Sequence, residues 1–269
     1  MSRSFLVEVA GKVAQEVASP TYDRDVPRVR PRAPPSLRQA IQRDRSHRAL
    51  VVEYKRRSPG SSEPLPPPKS IPEFVAATAV DGVVAYSCLA TSYGFDGAPA
   101  RVAELVARTE RPVLFKEFVL DRRQVEVAAR AGAAAVLLIA RLERERLLAE
   151  SLAELARTAH RAGLEVLLEL HDPAELSLVD GVEADVYGVN VRDLATLAFE
   201  RGRAYSTLEQ ASARGLRPLL GLSGVATPAD AERFWTRGCD GILVGTSVAR
   251  AAEPAGFLAS LRLAGAPRP

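Results

Sequence analysis

The chain has 269 residues, with 36 Lys and Arg against 33 Asp and Glu and 47% apolar residues. That is enough for one large domain or two small ones, and too apolar for a disordered or collagen-like chain. A net charge of +3 is too small to argue for nucleic acid, and no apolar run approaches the length of a membrane span.

No N-terminal signal peptide is recognisable. Cys88 and Cys239 lack a CxxC partner and so give neither a disulfide framework nor a zinc site, which suits a reducing cytoplasm. The choice of basic residue is skewed: 32 are Arg and only four are Lys (Lys12, Lys55, Lys69 and Lys116), and Asn190 is the single Asn. Whether genome composition or heat adaptation caused the skew, the few Lys and the one Asn are worth locating.

Residues 1–48 carry Pro27, Pro31, Pro34 and Pro35 among Arg28, Arg30 and Arg32, with little strand pattern. They read as an extension holding helices over 5–17 and 36–45, the second capped by Ser36. No aromatic residues interleave the Arg cluster, so it reads as a solvated linker face rather than a nucleic-acid patch.

From residue 49 to 269 one unit repeats. Apolar runs at 49–54, 83–88, 112–115, 134–139, 165–170, 184–189, 218–222 and 241–244 alternate with stretches of helical period, such as 121–131 and 142–162. Unbroken apolar runs are the mark of buried parallel strands, and eight βα units give the α/β fold of a (β/α)8 TIM barrel with an N-terminal helical extension. An open doubly wound sheet is the competing arrangement. It would show a Gly-rich dinucleotide turn after the first strand, and the turn at 55–61 (KRRSPGS) is not one.

Function in a barrel belongs at the C-terminal ends of the strands. Those positions hold Glu53 and Lys55, Ser87, Lys116, Leu137, Glu169 and His171, Asn190 and Arg192, Ser223 and Gly224, and Gly245 and Thr246. Two of the four Lys and the only Asn are among them. In a chain that otherwise uses Arg, a strand-end Lys suggests a compact cation able to give up its proton, against the plainer reading that both snorkel to solvent. The last two strand ends, LGLSGV at 220–225 and ILVGTS at 242–247, read as a phosphate cup of backbone N–H groups and hydroxyls. Glu169 and Glu53 are the carboxylates available for proton transfer, although Glu53 fits a structural ion pair equally well. His171, followed by Asp172 and Pro173, reads as the start of a loop. No His, Asp or Glu set has metal-ligand spacing, and no cofactor is expected.

These residues resemble the indole-3-glycerol phosphate synthase family. The segments VVEYKRRSP (51–59) and PVLFKEF (112–118) are similar to its first- and third-strand signatures, and AAVLLI (134–139), LLELHD (167–172), GVNVRDL (188–194), LSGV (222–225) and LVGTS (243–247) continue the match in order. The resemblance implies ring closure of 1-(2-carboxyphenylamino)-1-deoxyribulose 5-phosphate, with loss of CO2 and water, to indole-3-glycerol phosphate in tryptophan biosynthesis. It implies Lys116 as general acid, Glu169 as the base of the dehydration and Lys55 as the cation for the departing carboxylate or also the acid of the dehydration, with the division between the two lysines left open. Glu53 and Asn190 would hold this network. Ser58, Pro59, Phe95, Phe118 and Leu137 would receive the aromatic half of the substrate, and Arg192, Ser223, Gly224, Gly245 and Thr246 its sugar and phosphate. The implied partner is a small-molecule sugar phosphate, with no nucleic acid or membrane, for a cytoplasmic monomer or weak homodimer.

The sequence departs from the family pattern in places. Leu222 stands where the family has Glu, Gly60 replaces a Ser, Phe115 precedes Lys116 where Arg or Met is common, and Thr91 replaces an acidic residue. Leu222 leaves open a slower authentic synthase, a paralogue acting on a modified anthranilate derivative, or a barrel that binds a sugar phosphate without turnover. With both lysines, Glu169 and Asn190 in place, ring closure is the favoured expectation. Phosphoribosylanthranilate isomerase shares the expected fold, but its Cys or Asp acid/base pair is not seen.

Overall fold

A computed structural model describes residues 4–60 and 63–263. The outer ends of the expected extension and barrel, 1–3 and 264–269, and Ser61 of the first loop lie outside the described residues. Eight strands pair in parallel in chain order, and the last closes on the first. They are β1 (Ala49–Tyr54), β2 (Val83–Leu89), β3 (Val113–Lys116), β4 (Ala135–Ile139), β5 (Glu165–Leu170), β6 (Val186–Asn190), β7 (Leu219–Leu222) and β8 (Gly241–Val244). This is the (β/α)8 TIM barrel expected from the pattern of apolar runs, each within two residues of its expected bounds.

Alternate residues of each strand enter two different apolar clusters. Leu50, Val52, Tyr86, Phe115, Val136 and Leu168 face the surrounding helices. Val51, Ala85, Leu114, Leu137, Leu167, Leu220 and Leu243 fill the barrel. Because side chains alternate with a period of two, the inward set continues at the strand ends through Glu53, Lys55, Lys116, Glu169, Asn190 and Leu222. Strand parity therefore aims the polar residues into the mouth.

The helices are α1 (Phe5–Ala18), α2 (Leu37–Gln42), α3 (Ile71–Thr78), α4 (Pro99–Val106), α5 (Arg122–Arg130), α6 (Ala140–Arg144), α7 (Leu152–Arg161), α8 (Arg201–Ala213), α9 (Pro228–Trp235), α10 (Thr246–Arg250) and α11 (Pro254–Leu263), with a 3₁₀ helix at Pro173–Gly181. None of the described helices is long and apolar enough to cross a membrane. The single helix expected over 142–162 is two. Arg146 takes a positive φ of 55° after α6, and Ser151 starts α7 with a capping box to Glu154. The helix expected over 36–45 is capped by Ser36 but ends at Gln42.

The extension is fastened to the barrel, not draped over it. Buried Leu6, Val9, Ala10, Val13 and Val17 form one face of α1, and Leu37 and Ile41 of α2 join the same inner cluster. The solvated Arg face expected between them is corrected at two positions. Arg30 donates to the carbonyls of Ala129 (3.1 Å) and Gly163 (3.2 Å), near the C-terminal ends of α5 and α7. Arg32 donates to the carbonyls of Val106 and Thr109 beyond α4 and pairs with Glu110. A planar fork of donors suits the unpaired carbonyls that helices leave at their ends.

A third fastening uses a buried acid. Glu117, next to Lys116 but facing outward, accepts from Tyr22 Oη (2.5 Å) and Gln124 Nε2 (2.9 Å) on Oε2, while its Oε1 has no hydrogen-bond partner. Burial pushes the carboxyl up from 4.5 to about 7, against the downward pull of the two hydrogen bonds. The fold thus favours the protonated form, and the group's cost to stability grows as pH rises from the unfolded value through the folded one. Glu117→Gln, a mimic of the protonated carboxyl, is expected to stabilise the protein by about 2 kcal/mol at pH 8 and hardly at all at pH 5. Thermal melts at the two pH values check this, and an equal shift at both would contradict it.

Candidate active site

At the C-terminal mouth of the barrel, Glu53 and Lys55 arrive from β1 and the turn after it, Lys116 ends β3, Glu169 sits one residue before the end of β5, and Asn190 ends β6. Lys55 Nζ lies 2.7 Å from Glu53 Oε1, and Lys116 Nζ lies 3.8 Å from Glu53 Oε2. The lysine side chains are only 15% and 19% exposed, so they do not snorkel into solvent. Burial alone would push the Glu53 carboxyl up, but the Lys55 and Lys116 ammonium groups hold it below its ordinary value. Lys55 is pulled below its ordinary value by burial, with Lys116 and Arg192 adding to the pull and Glu53 opposing it.

Across the mouth, Asn190 Nδ2 donates to Glu169 Oε1 (3.1 Å), and Asn190 Oδ1 accepts the backbone N–H of Arg192 (3.0 Å). The lone Asn uses its donor for the carboxylate and its acceptor to fix the loop after β6. Glu169 Oε2 is buried without a hydrogen-bond partner. Burial raises the Glu169 carboxyl, but His171, Lys116 and Asn190 bring it below the ordinary range.

Two clefts adjoin here, and every residue expected at the site lines one or both. The first is bounded by Phe95, Phe118, Leu137, Pro59 and Ser58, with Glu169 and Asn190 on one side. The second is bounded by Gly224, Gly245 and Thr246, with Glu53 and Leu222 at the strand ends. Lys55, Lys116, Arg192 and Ser223 line both, and so stand at the junction.

The apolar cleft has a wall that sequence reasoning missed. Phe5 of α1 lines it, meets Phe95 edge-on with centroids 6.4 Å apart, and Phe95 in turn lies 6.1 Å from Phe118. The Phe5 backbone N–H is anchored on the Ala195 carbonyl (3.0 Å). The contact joins residues far apart in the chain, and the apolar period of α1 was the only sign that Phe5 would pack against the barrel at all. Thr91 and Leu197 also line this cleft and were not anticipated as wall residues.

The second cleft is polar at its rim. Ser223 and Gly224 take positive φ of 65° and 71°, Ser247 Oγ donates to the Val225 carbonyl (2.6 Å), and Ser58 Oγ lies 3.3 Å from Thr246 Oγ1. Arg192 Nη1 donates to the Pro59 carbonyl (3.0 Å), and its guanidinium lies 4.7 Å over the Phe199 ring. This tethers the first loop to the sixth. The Gly245 Cα approaches β1 so closely that an added Cβ would lie 2.7 Å from Glu53 Oε1. Leu222 is buried beneath this cleft, covering Gly188. Among the described residues, no group of three or more His, Cys, Asp or Glu side chains is placed to hold a metal ion.

A family model described as indole-3-glycerol phosphate synthase matches residues 4–261. The indole-3-glycerol phosphate synthase of Deinococcus radiodurans is 34% identical over 216 residues, covering 79% of this chain and 77% of that protein. Indole-3-glycerol phosphate synthase 2 of Streptomyces coelicolor is 39% identical over 207 residues, covering 77% of each. Among solved structures, 3-hexulose-6-phosphate synthase from Salmonella typhimurium is similar with a TM-score of 0.57 at 16% identity, over 80% of this chain and 96% of that one. The tryptophan synthase alpha subunit from Legionella pneumophila gives a TM-score of 0.57 at 14% identity, over 84% and 96%. At such identities these two structures speak to the fold alone.

Gly224 offers a direct probe of the polar cleft. At φ +71° an L side chain is strained, and an added Cβ would lie 2.5 Å from Val191 Cγ2. Gly224→Ala is expected to weaken binding of inorganic phosphate at least about tenfold in calorimetric titration, a loss of about 1.4 kcal/mol. Unchanged affinity would mean that this loop is not an anion site.

Proposed function

We infer that this chain, which belongs to the indole-3-glycerol phosphate synthase family, divides the family's reaction between its two half-buried inward lysines according to how tightly each is held. The enzyme is a carboxy-lyase of tryptophan biosynthesis. It converts 1-(2-carboxyphenylamino)-1-deoxyribulose 5-phosphate to indole-3-glycerol phosphate by ring closure, decarboxylation and dehydration. One observation carries the assignment of roles: an apolar cleft and a polar one meet at Lys55, Lys116, Arg192 and Ser223.

The substrate's aryl ring fits the cleft of Phe5, Pro59, Phe95, Phe118 and Leu137, and its phosphate fits the loops at Ser223, Gly224, Gly245 and Thr246. The ketone then falls between them, beside the ammonium groups. Attack by the aromatic carbon on that ketone makes an alkoxide, which Lys116 protonates. At 3.8 Å from Glu53, Lys116 is outside hydrogen-bond distance of its carboxylate, so its N–H groups are free to turn to the substrate. Lys55, at 2.7 Å from Glu53, is locked. It serves as a fixed positive charge toward the carboxylate that leaves as CO2, whose departure the surrounding apolar walls favour by excluding water. The electrons of the broken C–C bond restore the aromatic ring. The hydroxyl then takes a second proton from Lys116, recharged from solvent, and leaves as water while Glu169 removes a proton from the neighbouring ring carbon through its unpartnered Oε2. Asn190 holds the other oxygen of Glu169 and Ser58 braces Thr246.

This reading takes residues 1–48 as the extension and 49–269 as the barrel. It places the protein in the cytoplasm as a monomer or weak homodimer with a small sugar-phosphate substrate, and assigns it no nucleic-acid or membrane partner. The exposed large apolar side chains among the described residues are Val7, Val29, Phe199 and Leu263, on four separate segments of the chain.

Purified protein mixed with the carboxyphenylamino-deoxyribulose phosphate is expected to generate an indole chromophore. Bound substrate without product would leave a binding protein instead. Lys116→Arg keeps the charge but replaces a compact acid with one that does not give up its proton. Its turnover is expected to fall by about 10²-fold or more, with affinity for a reduced, non-cyclising substrate analogue kept within a few-fold; wild-type turnover would overturn the role.

A further inference from the structure

His171 lies between two carboxylates. Its Nε2 is 3.2 Å from Glu169 Oε1, and its Nδ1 is 3.8 Å from Glu175 Oε2. The imidazole is 4% exposed, and the carboxylates are 1% and 0% exposed. Neither ring nitrogen is aligned for a hydrogen bond, so the contacts act through charge. A neutral imidazole would turn one bare nitrogen lone pair toward a carboxylate at this separation, whereas the imidazolium presents N–H on both sides.

The surroundings keep this arrangement in place. Asp172 caps the 3₁₀ helix by accepting from the Ala174 N–H (2.8 Å), and that helix carries Glu175 back over His171, where it accepts the His171 backbone N–H (2.7 Å). On the far side of Glu175, Arg141 of α6 donates from Nε at 2.6 Å and Arg144 approaches to 3.5 Å. Asp172 and Asp193 each lie 4.0 Å from Arg141, and Arg203 of α8 lies 3.9 Å from Asp172. On the substrate side, Glu169 meets Asn190 and the Lys116 charge. Charges therefore alternate from Lys116 through Glu169, His171 and Glu175 to Arg141.

Resting on the reading of Glu169 as the base, we infer that His171 is a positioning residue: an imidazolium that keeps Glu169 ionised. With Asn190 it occupies Glu169 Oε1, leaving Oε2 open to the substrate proton. The protein's own ionisation tendencies agree. Burial opposes the imidazolium, but Glu169 and Glu175 outweigh it and carry His171 up to about 9, while Glu175, despite burial, is held down at about 2 by His171 and Arg141.

The test begins with the unaltered protein, whose three histidines are His47, His160 and His171. Nitrogen NMR of the imidazoles, assigned with His47→Gln and His160→Gln, is expected to show His171 still an imidazolium at pH 7.5. A neutral His171 at that pH overturns the inference whether or not any variant folds. His171→Asn removes the charge, so the acid limb of the kcat profile, where Glu169 takes up its proton, is expected to move up by about one pH unit or more. Turnover should stay within about threefold of wild type at pH 8 and sink toward about a tenfold deficit only at pH below the wild-type acid limb, whereas a merely structural residue would lower it equally across the range. Glu169→Gln serves as the control. Lost turnover there with an unmoved acid limb in His171→Asn overturns the role of His171 alone, whereas wild-type turnover in Glu169→Gln overturns the base assignment and the inference with it.

Discussion

Glu53 places one carboxylate against two ammonium groups, 2.7 Å from Lys55 and 3.8 Å from Lys116, in a mouth where no member is more than a fifth exposed. Two cations so close in a partly dry site would repel by a few kcal/mol. Without the carboxylate, one of them would give up its proton or swing out to water. The neighbouring architecture follows from keeping this trio together. Gly follows strand β8 at position 245 because any side chain there would strike Glu53. Strand β1 and the turn after it present Glu53 and Lys55 two residues apart so that both face inward. Glu169 opposes Lys116 from across the barrel, held by partners of its own.

Much of this was legible because the strand period does two jobs. The parity that puts Leu114 in the barrel puts Lys116 in its mouth, and the parity of Leu167 does the same for Glu169. Rarity supplied the rest, since a chain with four Lys and one Asn that spends three of them at strand ends shows where side-chain identity matters. Phe5, Glu117 and the contacts of His171 were not legible in the same way. Each depends on a contact between elements whose relative placement no local pattern encodes: α1 reaching the β6 loop, Tyr22 reaching β3, and Glu175 folding back over β5. The loop reading of His171 was right about the backbone, which leaves β5 at Leu170, and silent about the imidazole. Arg30 and Arg32 looked solvated because the carbonyls that receive them belong to three different helices.

The extension matters to the site through those contacts. α1 supplies Phe5 to the apolar cleft, and Tyr22, just beyond α1, reaches the residue next to Lys116. Deleting the extension would therefore open the apolar cleft and expose the buried carboxyl of Glu117, rather than trim a peripheral tail. The Arg side chains that bind it to the barrel use several donors at fixed angles to span carbonyls from separate helix ends, which a single ammonium could not do. Arg thus joins elements, while the inward-facing Lys are kept for the junction of the two clefts.

Leu222 is consistent with that division. It ends β7 beside Asn190 as a buried apolar floor, so the mouth has two carboxylates, Glu53 and Glu169, for the three cations Lys55, Lys116 and Arg192. The uncompensated positive charge suits a substrate with a carboxylate at one end and a phosphate at the other. An acidic side chain at this position would cancel that charge and offer Lys116 a second partner. With Leu222 in place, Lys116 stays loosely held at 3.8 Å from Glu53 while Lys55 stays locked at 2.7 Å, and that difference in distance to one carboxylate is what the proposed division between acid and fixed charge rests on.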